Sequence, residues 1–200
     1  MKKVSLIFSL FSIMAFLGCK NEKKDMESLD GMNDTIQIDS EDQTNEIKEE
    51  TKTISVPMES KSGSAVQGEA YFSEENGTVT FEAKFSGLKP GIHAIHLHEK
   101  ADCSSDDGKS SGGHWNPTHQ KHGKWGDPEG YHKGDIGNFE ADSEGMGKIS
   151  MKTDEWCIGC GDENKDILGK AIIVHEGTDD FVTQPTGDAG GRIACGGIIK

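Results

Sequence analysis

"TVTFEAKFSGLKPGIHAIHLH", residues 78–98, decides the fold. Val79, Phe81, Ala83 and Phe85 alternate with polar neighbours, the period of a strand with one buried face. Gly87-Leu88-Lys89-Pro90-Gly91 follows as a turn, and "IHAIHLH" reads as the next strand. Upstream, "SAVQGEAYF" runs into the turn signal Glu75-Asn76-Gly77. Downstream, "GNFEA" and "KISMKT" flank the turn "DSEGMG", and "GKAIIVHE" and "RIACGGII" are two further strand candidates. The segments lack a helical period. Short strands joined by glycine-rich turns predict an all-β domain, either a β-sandwich or a closed barrel. Two loops, 99–134 and 176–191, are longer than a connection requires, and such loops in a compact domain usually carry function.

The chain before this domain is of another kind. Met1-Lys2-Lys3 is basic, and "VSLIFSLFSIMAFL" is an apolar run of the length of a secretory signal core, too short for a comfortable membrane span. It ends at Leu17-Gly18-Cys19, which resembles a bacterial lipobox, with residues 1–18 as the signal peptide and Cys19 as the lipidated residue. Phe16 is unusual for that pattern. Residues 19–53 are polar, acidic and without an aromatic residue, and read as a disordered tether. The domain is expected over 54–200. Together these features predict a lipoprotein anchored to a membrane and facing the periplasm or the cell surface.

The formal charge of −14 argues against nucleic acid as a partner. Residues 54–200 alone hold 24 acidic and 14 basic side chains, net −10. Arg192 is the only arginine of the chain. Lysine serves everywhere else, so this position calls for a planar, permanently charged fork.

All eight histidines fall between positions 93 and 175. On a strand, residues two apart face the same way, so His96 and His98 project together and suit a shared metal. His93 has the opposite parity and reads as a packing or hydrogen-bonding residue. The loop adds His114, His119, His122 and His132, with Asp135 three residues after the last, and His175 ends an apolar strand.

"GIHAIHLHE", "GGHWNP", "KHG", "YHKGDIGN", "AIIVHEGTDD" and "GDAGGRIACG" occur in this order over about residues 64–200, and together they resemble the motifs of copper–zinc superoxide dismutases. The resemblance implies a Greek-key β-sandwich or flattened eight-stranded barrel with two long functional loops. It implies copper on His96, His98, His114 and His175, and zinc on His114, His122, His132 and Asp135. Asp179 would link a ligand of each metal, Arg192 would attract superoxide, and His114 and Arg192 would take part in catalysis. It pairs Cys103 with Cys195. The activity implied is dismutation of superoxide to oxygen and hydrogen peroxide. The rival reading is a non-catalytic copper- and zinc-binding lipoprotein, a carrier or store. A homodimer is compatible with the sequence and not required by it.

Two features depart from the family pattern. His122 and His132 stand one residue further apart than expected, an excess that a bulge in "GKWGDPEGY" would absorb, and His119 is extra, read as an exposed loop histidine. Cys157 and Cys160 form C-x-x-C in a loop. A local disulfide is the first reading of that pair and a copper-docking or redox pair the second. Because a domain of this charge should repel superoxide, Lys109, Lys121, Lys124 and Lys133 are candidates for a local positive path.

Overall fold

The structure is a computed structural model that describes residues 50–200. Cys19, the signal peptide and nearly all of the tether lie outside the described residues. Eight strands form a closed antiparallel barrel: β1 (Lys52–Ser60), β2 (Gln67–Glu75), β3 (Thr78–Ser86), β4 (Gly91–His98), β5 (Gly137–Ala141), β6 (Gly147–Thr153), β7 (Ala171–His175) and β8 (Arg192–Gly197). Their order around the barrel is β1-β2-β3-β6-β5-β4-β7-β8, with β8 returning to β1. The steps from β3 to β4 and from β6 to β7 each skip over two strands, which gives the expected Greek-key path. One 3-10 turn, Lys109–Ser111, interrupts the first long loop.

Local chemistry sets these elements. Asn76 and Gly77 both have positive φ, at 51° and 72°, the conformation of a two-residue hairpin turn. They close β2 on β3 with Glu75 opposite Thr78. Val79, Phe81, Ala83 and Phe85 all point into the core as their alternation predicts. Phe72, Phe81 and Trp156 pack together, with centroids 4.9–6.3 Å apart. Burying each such side chain contributes about 1.5–3 kcal/mol.

β1 is not among the strands anticipated from sequence, and it starts at Lys52, two residues before the expected domain boundary. Ile54, Val56 and Met58 face inward. Pro57 lacks an N–H for a ladder, but β1 pairs with β8 only at Glu59 and Ser60. Pro57 therefore sits where one edge of the strand is free, a position that tolerates proline.

β4 and β7 position the site. Every residue of β4 from His93 to His98 is buried, so both faces of the strand are covered. Ile95 and Leu97 enter the barrel core with Ile172 and Val174 of β7. The other face carries His96, His98 and His175, and the long loops lie over it.

Candidate metal centre

The centre grows from the end of β4. Beyond that strand, Trp115 N–H donates to Leu97 O at 2.8 Å and Glu99 N–H donates to Gly113 O at 3.0 Å. This short ladder sets His114 directly beside His98. Leu97 N–H donates to Gly134 O at 2.9 Å, and Gly134 N–H donates to Trp115 O at 3.0 Å, which fastens the segment carrying His132 and Asp135 to the same strand end. A Cβ at Gly134 would overlap Leu97 O, so only glycine allows that approach. β7 brings His175 alongside, with ring centroids 4.9 Å from His96 and 5.7 Å from His98.

Two groups of four result: His96, His98, His114 and His175, and His114, His122, His132 and Asp135. Within each group the candidate ligand atoms lie within 4.8 Å of one another, and all are buried. His114 belongs to both. The seven residues are those that the family resemblance implies, and the two groups divide them in the same way.

Five of the six rings are held by one nitrogen. His98 Nδ1–H donates to Gly112 O at 3.0 Å and His175 Nδ1–H to Gly190 O at 3.3 Å. These bonds set the tautomer and leave Nε2 with a bare lone pair. Asp179 holds two rings at once. Its Oδ2 accepts from His96 Nε2–H at 2.8 Å and its Oδ1 from His122 Nε2–H at 2.9 Å. Asp179 thus links one residue of each group, as the resemblance implies, and such partners fix ring orientation and raise ligand basicity. The bridge depends on Gly187, where a Cβ would overlap Asp179 Oδ1 and lie 2.7 Å from His122 Nε2.

The opposite nitrogens are orphans. His96 Nδ1, His98 Nε2, His114 Nε2, His122 Nδ1, His132 Nδ1 and His175 Nε2 are buried without a hydrogen-bond partner. Leaving one buried polar atom unsatisfied costs about 1–3 kcal/mol, and folded proteins rarely keep six together. Two bound cations would satisfy all six. The donor chemistry fits as well: four imidazoles suit copper, while three imidazoles and a carboxylate suit a closed tetrahedral zinc site.

The electrostatics separate the two groups. Burial, reinforced by neighbouring charge, holds His98 and His175 well below the usual histidine range. Burial and the charge of His96 bring His114 down to about 4. These rings are neutral near pH 7 and able to ligate. Burial pulls His122 down too, but its contacts with Asp135 and Asp179 outweigh that and raise it to about 9. Burial alone would raise Asp135 and Asp179, yet the histidines around them hold both carboxyls well below the ordinary range.

One side is open. A cavity of about 300 Å³ is lined by His98, His175 and Arg192, with Asp107 and Lys109 at its edge. Arg192 starts β8 directly opposite His175. Its Nη1 donates to Gly108 O at 2.9 Å and to Ser111 Oγ at 3.1 Å, which steadies the guanidinium at the cavity. Gly108 and Ser111 were not foreseen, because they reach Arg192 only when the first long loop folds back.

The remaining residues fall as follows. His93 is buried, with Nδ1 2.9 Å from His175 O and Nε2 2.8 Å from Lys89 O, in the hydrogen-bonding role its parity predicts. His119 is exposed and in neither group. Between His122 and His132 the chain makes two successive turns, with Asp127 N–H bonded to Lys124 O and Gly130 N–H to Asp127 O. Cys103 is bonded to Cys195 and Cys157 to Cys160, with Cα–Cα separations of 5.8 and 6.0 Å. The Cys103–Cys195 bond closes 92 residues, which contributes about 4–5 kcal/mol in the chain-entropy description.

The four-lysine path needs correction. Only Lys109 lines the cavity, and it is paired with Asp107 at 2.8 Å. Lys121 is paired with Glu129 at 2.6 Å, and Lys133 is bonded to Glu155. Lys124 is exposed and away from the cavity lining. Carboxylates adjoin three of the four lysines, and only one of the four reaches the cavity.

An eight-stranded Greek-key barrel carrying two buried four-residue groups joined by one histidine defines a two-metal protein of the dismutase type. The family model described as copper/zinc superoxide dismutase (SODC) matches residues 66–198, and the chain belongs to that family. It is 37% identical over 136 residues to "Superoxide dismutase [Cu-Zn] 2" of Aquifex aeolicus (strain VF5), covering 66% of this chain and 79% of that relative. Among solved structures, a SOD-like protein from Bacillus subtilis superposes with TM-score 0.64 at 31% identity, covering 72% of this chain and 97% of that one. The clock protein EA4 superposes with TM-score 0.63 at 31% identity, covering 74% and 94%.

Proposed function

We propose that this chain converts two superoxide ions and two protons to oxygen and hydrogen peroxide, with copper held by His96, His98, His114 and His175. Zinc would be held by His114, His122, His132 and Asp135. Copper, when bound, supplies the one-electron change between Cu(II) and Cu(I), whereas zinc has no redox chemistry of its own. Arg192 offers the anion a permanent positive charge in the cavity that also exposes His98 and His175. Among the described residues its fork is engaged only through Nη1, which leaves other N–H donors to orient superoxide. His114 is placed to carry a proton at Nε2 and to deliver it to the departing peroxide. Asp179 and Asp135 keep the rings in position through both half-reactions.

The observation that carries this reading is the set of six unpartnered ring nitrogens, converging in two groups that share His114. The test loads the protein with copper and zinc and measures superoxide consumption with and without a strong chelator. Consumption that depends on copper and falls with Arg192→Ala supports an enzyme. Tight metal uptake without turnover would instead make it a carrier or store.

We further infer that the domain works outside the cytoplasm, tethered through a lipidated Cys19. The signal-like run before Cys19 supports this, as do the two disulfides of the folded domain, since such bonds persist in oxidising compartments. Cys19→Ala should move the protein from the membrane fraction to the soluble one. An unchanged distribution would overturn the anchor.

A further inference from the structure

The dismutase reading leaves Cys157 and Cys160 without a task. They sit in the crossover between β6 and β7, away from the copper-side cavity. We propose that this pair is an exchangeable redox couple, in which Cys160 is the sulfur attacked by an external dithiol, and that the bond is not a clasp holding the loop.

The loop is fastened without the disulfide. Trp156, Ile158 and Ile167 are anchored in the main core. Cys157 N–H donates to Lys165 O and Ile167 N–H donates to Cys157 O. The Asp166 carboxylate accepts from the N–H groups of Gly159, Gly161 and Leu168. From the other side, Ile158 N–H donates to Glu74 and Lys52 Nζ donates to Ile158 O. A bond spanning only three positions of so well fixed a segment adds little constraint.

The two sulfurs are unequal. Cys157 is buried and Cys160 exposed, so an incoming thiolate reaches Cys160. Asp162 N–H is directed at Cys160 Sγ, 3.4 Å away, and a donor in that position favours thiolate over thiol. The other disulfide is protected: Cys195 is fully buried in β8 and Cys103 is partly covered. A single protein therefore holds one shielded disulfide and one reachable one.

The exchange balances with an external dithiol as reductant. One of its thiolates attacks Cys160 Sγ and the Cys157–Cys160 bond breaks, with Cys157 leaving as a thiolate that takes up a proton. The second external thiol loses its proton and attacks the external sulfur of the mixed disulfide, which releases Cys160. Two electrons and two protons pass to the pair, and the dithiol becomes a disulfide.

The experiment treats the copper- and zinc-loaded protein with dithiothreitol under native conditions, quenches it with an alkylating reagent and maps the labels by mass spectrometry. Full labelling of Cys157 and Cys160 is expected while Cys103 and Cys195 stay unlabelled, with metal content and circular dichroism unchanged. Resistance of the pair until Cys103–Cys195 also opens would overturn the proposal. So would loss of metal or fold on selective reduction. In Cys157→Ser the remaining Cys160 should form a mixed disulfide with glutathione disulfide, and in Cys160→Ser the remaining Cys157 should not; equal reactivity refutes the assignment of Cys160. The double variant Cys157→Ser/Cys160→Ser should keep its melting temperature, whereas a collapsed fold would show that the bond is structural.

Discussion

The two halves of the histidine cluster are built from different material. Three of the four residues proposed for copper come from strands: His96 and His98 from β4 and His175 from β7. Apart from His96, these strand rings are steadied by backbone carbonyls, and two of them face a cavity. In the proposed zinc group every residue comes from the connection between β4 and β5, and carboxylates hold the His114 and His122 rings. The reachable half is thus mounted on the barrel, while the half carried by a loop is enclosed by it. A centre that must meet substrate repeatedly gains from rigid mounting. A loop with no hydrophobic core of its own gains from a cation that gathers its side chains.

His114 is where this contrast can be broken most severely. His114→Ala should remove essentially all turnover and lower the occupancy of both metals, read by superoxide consumption and by metal analysis. Loss of copper alone would show that the halves are independent. Asp179→Asn comes next, because it touches one ring of each half. Metal affinity should fall about 10–100-fold, as when other ligand-orienting partners are lost. Competition with a chromogenic chelator would report whether both metals are affected.

Arg192→Ala should act on the open half only. Turnover efficiency is expected to fall about 10- to 100-fold, the range of one hydrogen bond to a charged group, with zinc content unchanged. Arg192→Lys should recover part of it. Asp107→Asn at the cavity edge is smaller and opposite in sign: by releasing Lys109 it should raise efficiency, and the gain should fade at high salt.

The smallest effect belongs to Glu155, outside the zinc half. Burial raises its carboxyl, but Lys133 and Tyr131 outweigh that and hold it below its ordinary 4.5. A depressed carboxyl stabilises the fold above its unfolded value and loses that contribution as the pH falls. Glu155→Gln should therefore lower the melting temperature modestly near neutrality. The difference should vanish well below pH 4.5.

The copper half was the more legible in sequence. Strand alternation alone put His96 and His98 on one side and His93 on the other, and the barrel bears that out. The zinc half had no period to read, since its residues are brought together by loop contacts between Leu97, Gly134 and Trp115. Only the likeness of its motifs to a known family pointed to it. β1 escaped because three apolar residues around a proline are a faint signal, although their alternation was present. Of the four lysines only Lys109 lines the cavity, because sequence shows where a charge lies along the chain but not where the folded loop will carry it.

His175 and Arg192 face one another on a single rung between β7 and β8, and Cys195 lies three positions further along the same strand. Side chains alternate along a strand, so sliding β8 by one residue would turn the guanidinium from the cavity toward the interior. The link from Cys195 to Cys103 bars that slide. It acts as a detent on strand alignment, keeping the guanidinium aimed at the cavity that His98 and His175 line. Opening that link while leaving every histidine in place should yield a protein that still takes up its metals and has lost its aim.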